Sequence, residues 1–128
     1  MKDGISGLGL VASLASAVVA ATTKGNHADL QGFNSATLII NTGVVAGDGD
    51  YAVAMQHSDT TTDGDFTDVA AGDLLGDLPA TLEASTVYKQ GYKGSKRYIR
   101  AVITKAGGTS IAASAVFALG HPYDAPVA

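Results

Sequence analysis

The 128-residue sequence contains no cysteine and no tryptophan. The first absence excludes a disulfide framework, thiolate metal ligation and a cysteine nucleophile. The second removes the side chain best suited to an exposed aromatic sugar platform, so a carbohydrate-binding β-sandwich module is a lesser alternative. Glutamate occurs once, as Glu83, with no second acid at a spacing that suits paired acid–base work. No serine sits in a nucleophile elbow. Gly4, Gly7 and Gly9 follow no strand and precede no Lys-Ser/Thr pair, so they form no phosphate cradle. Neither an enzyme nor a cofactor is expected.

Large aromatics are also scarce, at 6% of residues, while Ala and Gly abound. A core of Ala, Val, Ile and Leu is thin per residue, which favours stability gained by joining neighbours. The net charge of −4 argues against affinity for nucleic acid, which rests on neutralising phosphates. The charge is unevenly placed. Nine acidic residues and no basic one lie between Asp48 and Glu83, and five of the eight basic residues follow between Lys89 and Arg100. Such asymmetry suits either head-to-tail contact between copies or a solvated acidic loop.

His27, His57 and His121 are far apart, with no His-x-His or His-x-x-x-His spacing, and no metal site is expected. The loop Asp59-Thr-Thr-Thr-Asp-Gly-Asp65 superficially resembles a calcium loop. It lacks the alternate-position oxygens and the closing bidentate glutamate. A turn in which Asp and Gly satisfy local backbone groups is the better reading.

The apolar run from Gly4 to Ala21 allows several readings. Asp3 and the interspersed glycines make a poor leader and a weak helix, and a stretch so rich in Ala, Gly and Ser is weak as a membrane span. An amphipathic helix on Leu8, Val11, Leu14 and Val18 remains, as does an arm ending in a strand near Ser16 to Thr22. We expect the arm, over residues 1–22, docked on neighbouring subunits. A β-domain over 23–119 and an extended tail over 120–128 follow, because Pro122 and Pro126 cannot donate to a ladder.

Within that domain the pattern predicts strands over Ala36–Thr42, Tyr51–Ser58 and Phe66–Val69, a helical turn near Ala70–Gly76, and an extended edge over Thr81–Gln90. A hairpin is predicted last, with Lys96–Lys105 turning at Ala106-Gly107-Gly108 into Thr109–Leu119. Ile99, Ala101 and Ile103 form a core face, with Lys96, Tyr98 and Arg100 opposite. The final strand is apolar on both faces: Ile111, Ala113, Ala115, Phe117 and Leu119 on one, Ala112, Ser114, Val116 and Ala118 on the other. Such a strand is either central or covered by another chain. The fold class expected is all-β, an antiparallel β-sandwich or jelly-roll-like barrel with an N-terminal arm and a C-terminal tail.

Four pieces in order carry a family likeness. They are Asp29-Leu-Gln-Gly-Phe33 leading into Ser35-Ala-Thr-Leu-Ile-Ile40, then Met55-Gln-His-Ser-Asp59 with Phe66-Thr-Asp-Val69. Gly91-Tyr-Lys-Gly-Ser-Lys-Arg-Tyr-Ile-Arg100 follows, and Ala118-Leu-Gly-His-Pro122 with Ala125-Pro-Val127 closes the set. This order resembles small structural proteins encoded in the head-gene region of tailed bacteriophages and prophages. The resemblance implies a virion protein that decorates or cements the capsid. We expect a homotrimer on the major capsid protein lattice at the outer head surface. A head-completion, connector or tail-tube protein is the alternative. In that picture Leu8, Val11, Leu14 and Val18 of the arm and Pro122 and Tyr123 of the tail meet neighbouring subunits, and Ala112, Val116 and Ala118 of the last strand meet a sister subunit or the arm. Lys93, Lys96, Arg97 and Arg100 then face acidic groups of the shell.

Overall fold

A computed structural model of the protein describes residues 9–122, apart from the side chains of Asn34, His121 and Pro122. Ten strands occur there: β1 (Gly9–Val19), β2 (Thr23–Lys24), β3 (Ala28–Asp29), β4 (Phe33–Ala46), β5 (Asp50–Ser58), β6 (Thr67–Asp68), β7 (Leu74–Leu75), β8 (Val87–Tyr92), β9 (Tyr98–Gly107) and β10 (Ser110–Pro122). Two single turns of 3₁₀ helix, Asp63–Asp65 and Ala71–Asp73, are the helical elements among the described residues. The protein is all-β. Its strands form two antiparallel sheets, β1-β10-β4-β8-β7 and β2-β9-β5-β6, with β3 also paired to β9.

The core lies between the sheets, and strict alternation feeds it. Ile111, Ala113, Ala115, Phe117 and Leu119 of β10 are buried, as are Ala36, Leu38, Ile40 and Thr42 of β4. Across from them lie Ile99, Ala101 and Ile103 of β9 with Tyr51, Val53 and Met55 of β5. Tyr51 brings the largest fully buried side chain, and its hydroxyl donates to the Thr109 carbonyl at 3.3 Å. Polar groups in the core are satisfied in the same way. The Thr42 hydroxyl, for example, accepts from the Thr86 amide at 3.0 Å.

Three expectations are corrected here. Residues 9–19 are not an arm beyond the domain. They pair antiparallel with β10 along their length, Gly9 opposite Leu119 and Val19 opposite Ile111, and form one edge of the first sheet. Two register shifts, between Ala12 and Leu14 and between Leu14 and Ala17, break the period of two and hide the strand from a pattern reading. The last strand also does not stop at Leu119. It runs on with Gly120 opposite Ser35 and Pro122 opposite Phe33. Proline is tolerated at this terminal pair, where a missing donor interrupts nothing further along.

The third correction concerns the predicted hairpin. β9 belongs to one sheet and β10 to the other, so the Gly107-Gly108 turn is an arch across the core. The inward faces of the two strands oppose each other instead of lying side by side. Gly108 takes a positive φ of 80° and packs on Gly49 so closely that a Cβ there would overlap the Gly49 backbone. The neighbouring arch, Ala46 to Asp50, makes the same crossing in the other direction.

Candidate assembly face

The outward positions of the first sheet follow from its register, and they align in rows. Leu10, Ala118, Thr37, Gly91 and Leu75 make one row across all five strands. Ala12, Val116, Ile39 and Lys89 make the next. Ser114, Asn41 and Val87 follow, and Val18 pairs with Ala112 beyond them. Lys89 carries the single charge in these rows. None of the outward residues is buried, and Leu10, Val18, Leu75 and Val87 are each more than half exposed. With strands about 4.8 Å apart and alternate residues about 6.8 Å apart, the rows cover roughly 20 Å by 20 Å, or about 400 Å² in projection. A mostly apolar area of about that size matches the largest patch of a typical monomer surface, which is often functional.

The outward face of the second sheet has opposite chemistry. The Arg100 guanidinium is 7% exposed, lies 4.2 Å from the centre of the Phe66 ring, and donates from Nε and Nη2 to Gln56 Oε1 at 3.0 and 2.8 Å. Its Nη1 donates to Asp63, which also accepts from Lys24 at 3.0 Å. Gln56 passes the network on by donating to Asp68 at 3.0 Å. The Asp63 carboxyl is held below the usual carboxylate range, chiefly by the hydrogen bond from Arg100 and then by that from Lys24. One face of the sandwich is thus closed by its own charges, and the other is mostly apolar, with Thr37, Asn41, Ser114 and Lys89 as its polar members.

The acidic and basic stretches meet within one chain. Besides the Arg100 network, Lys96 reaches Asp59 at 2.8 Å. Arg97 makes a two-pronged contact with Asp29, Nε to Oδ1 at 2.9 Å and Nη2 to Oδ2 at 2.8 Å. That contact lowers the Asp29 pKa and raises that of Arg97. Lys96 is raised for the same reason, by its hydrogen bond to Asp59. Asp59 and Asp63 of the acidic stretch thus pair with basic residues of the same chain, and Arg100 is not available to an outside acid. Among the described residues the Lys93 side chain has no ion-pair partner.

The sequence-predicted interface residues divide cleanly. Ala112, Val116, Ala118 and Val18 share the apolar outward face. Leu14 is buried in the core and Val11 packs against it, so these two are used by the chain's own fold. Pro122 pairs with Phe33 in the last described rung of the ladder, while Leu8 and Tyr123 lie outside the described residues. Leu10, Leu75 and Val87 join the face without having been singled out. Their neighbours in sequence gave no signal, because the face is assembled from strands far apart in the chain.

His57 Nδ1 is 2.9 Å from the Tyr92 hydroxyl, and His27 stands edge-on to the Tyr98 ring at 5.2 Å. Among the described residues no three His, Asp or Glu side chains gather as a metal cage. The acids of the 59–65 loop turn to separate partners: Asp59 to Lys96, Asp63 to Arg100 and Lys24, and Asp65 to the Thr60 hydroxyl at 2.7 Å.

No protein-family model and no curated protein matches the chain. Among solved structures, a chain in "Structure of infectious bursal disease virus Gx strain" is similar at 16% identity and a TM-score of 0.45. The match covers 91% of this chain and 32% of that one, so this chain spans about a third of its length. A likeness of that size says nothing about function.

Proposed function

We propose that this is a virion structural protein of a tailed phage or prophage, decorating or cementing the capsid as a homo-oligomer. The reading rests on the mostly apolar outward face of the first sheet, together with the resemblance of the four sequence pieces. Burying this mixed face of about 400 Å², were all of it apolar, gives at most about 10 kcal/mol gross at about 25 cal/mol per Å². Association costs of similar size consume most of that. One such contact alone is weak, and a closed ring or a lattice makes it persistent through multiplicity.

The test is binding to expanded capsid shells that lack the protein. Purified chain should co-sediment with the shells to a saturating copy number on the scale of the shell, not of one vertex ring. Val116→Glu should abolish the binding. Absence of binding by the wild-type chain, or saturation at a single ring, contradicts the decoration role.

A further inference from the structure

The outward face of the first sheet is not flat. Near the Gly107-Gly108 arch a hollow of about 350 Å³ opens over Ala112 and Ser114 of β10, between Ser16 and Val18 of β1 and Asn41 and Gly43 of β4. Two register shifts shape it. One sets Ala15 and Ser16 of β1 against Ser114 alone, and the other sets Gly43 and Val44 of β4 against Ala112 alone. No residue lining the hollow is charged, and its floor carries no side chain larger than serine. A Cβ on Gly43 would stand 3.2 Å from that of Ala112 and narrow the opening.

Val87 stands at the same height on the opposite flank of the face. It pairs with Asn41, and Asn41 pairs with Ser114, so the three share one outward row. β7 meets β8 only at Tyr92 and Gly91, so among the described strands none pairs beyond Val87, and its side chain is 66% exposed. Two strand spacings, about 10 Å, separate Val87 from Ser114, which is too far for the valine to fill the hollow of its own chain.

We infer that Val87 of a neighbouring copy seats in this hollow. The inference rests on the assembly reading above and names the contact which that reading leaves open. The occupant is a second copy because projection and hollow lie in one row of one face, on opposite flanks. Each copy then offers its hollow to one valine and its valine to one hollow, a pairing of unlike patches that repeats from copy to copy. Neither side brings a charge, so closing the contact buries no ion. The remainder of the face supplies area, while this pair supplies the shape match that fixes how one copy sits on the next.

A charge exchange in the full-length chain tests the contact. Ser114→Asp places a carboxylate in the hollow, and Val87→Lys places an ammonium on the projection. Both positions face outward, so each variant should keep a urea midpoint close to that of the wild type. In sedimentation velocity each single variant should associate at least about 10-fold more weakly than the wild type, because it desolvates a charge without a partner. The double variant, in which each hollow meets the opposite charge of a neighbour, should regain most of that loss, and high salt should weaken it again. Ser114→Asp with Leu75→Lys is the control, since Leu75 lies two rows away on the same flank, and it should show no recovery. Single variants that associate like the wild type, a double variant no better than either single one, or equal recovery with Leu75→Lys overturns the inference while leaving the assembly reading in place. A wild type that stays monomeric at every concentration overturns both.

Discussion

The Ser13 hydroxyl accepts a hydrogen bond from the Ala101 amide at 3.0 Å, joining the first strand of one sheet to the central strand of the other. The same hydroxyl donates to the Asn26 carbonyl at 2.8 Å, and the Ser13 carbonyl accepts from the Asn26 amide at 2.7 Å. Ser13 sits where the β1 register shifts, so the bulge turns a small polar side chain inward. Ser13→Ala leaves the buried Ala101 amide without that acceptor. It should cost about 2 kcal/mol, read as a lower urea midpoint with an unchanged slope.

Arg100 is a structural cation. Arg100→Leu removes the stacking on Phe66 and the paired hydrogen bonds to Gln56 at a site closed to water. A loss of about 2–3 kcal/mol is expected, and Lys24→Ala, at the exposed end of the same network, should cost less than 1 kcal/mol. Equal small effects would mean that the guanidinium contributes through its charge alone.

Stability should fall at both ends of the pH scale. Asp29 and Asp63 have carboxyl pKa values lowered by Arg97 and by Arg100. Their contribution is complete above the ordinary carboxyl value of 3.8 and disappears as pH drops below it. Asp29→Asn should therefore flatten the acid limb of a stability–pH curve. On the alkaline side, burial raises the Tyr92 pKa above 10.0 and Asp59 raises Lys96 above 10.5. The unfolded chain then releases these protons first, so stability should decline as pH rises beyond about 10. Urea titrations from pH 3 to 11 check both limbs.

The arch at Gly108 makes a separate prediction. Gly108→Ala places a side chain at positive φ against the Gly49 backbone and should cost about 2–3 kcal/mol. A two-residue hairpin turn would accept asparagine at that position with little change. Gly108→Asn thus distinguishes the two: destabilisation for the arch, near neutrality for a hairpin.

The inward faces were legible from sequence because alternation survives wherever one side meets a core. Ile99, Ala101 and Ile103, and Ile111 through Leu119, occupy the positions their spacing predicts. The arch was not legible, since a Gly-Gly turn between two alternating strands serves a hairpin and a crossing equally well. Which strand completes each ladder depends on partners more than 40 residues away, such as Val53 opposite Ile103 and Ile40 opposite Ala115. Of β1 only the end was anticipated, as a strand near Ser16 to Thr22, because its bulges interrupt the period and its Ala and Ser residues carry little β signal. The two-sided apolar character of β10 was read correctly, and the fold supplies the reason. The strand is interior to its sheet, yet none of the described residues covers its outward side.

That uncovered side bears the weight of the assembly proposal, because the first strand seals the chain's own sheet and is not an arm for its neighbours. Sedimentation velocity across a wide concentration range, on the wild-type chain beside Val116→Glu and Ile39→Glu, tests it most directly. We expect the wild type to form a trimer. Each variant should sediment as a monomer with an unfolding midpoint close to that of the wild type, since both positions are outward-facing. A wild type that stays monomeric at every concentration, or variants that assemble as well as it does, would contradict the proposal.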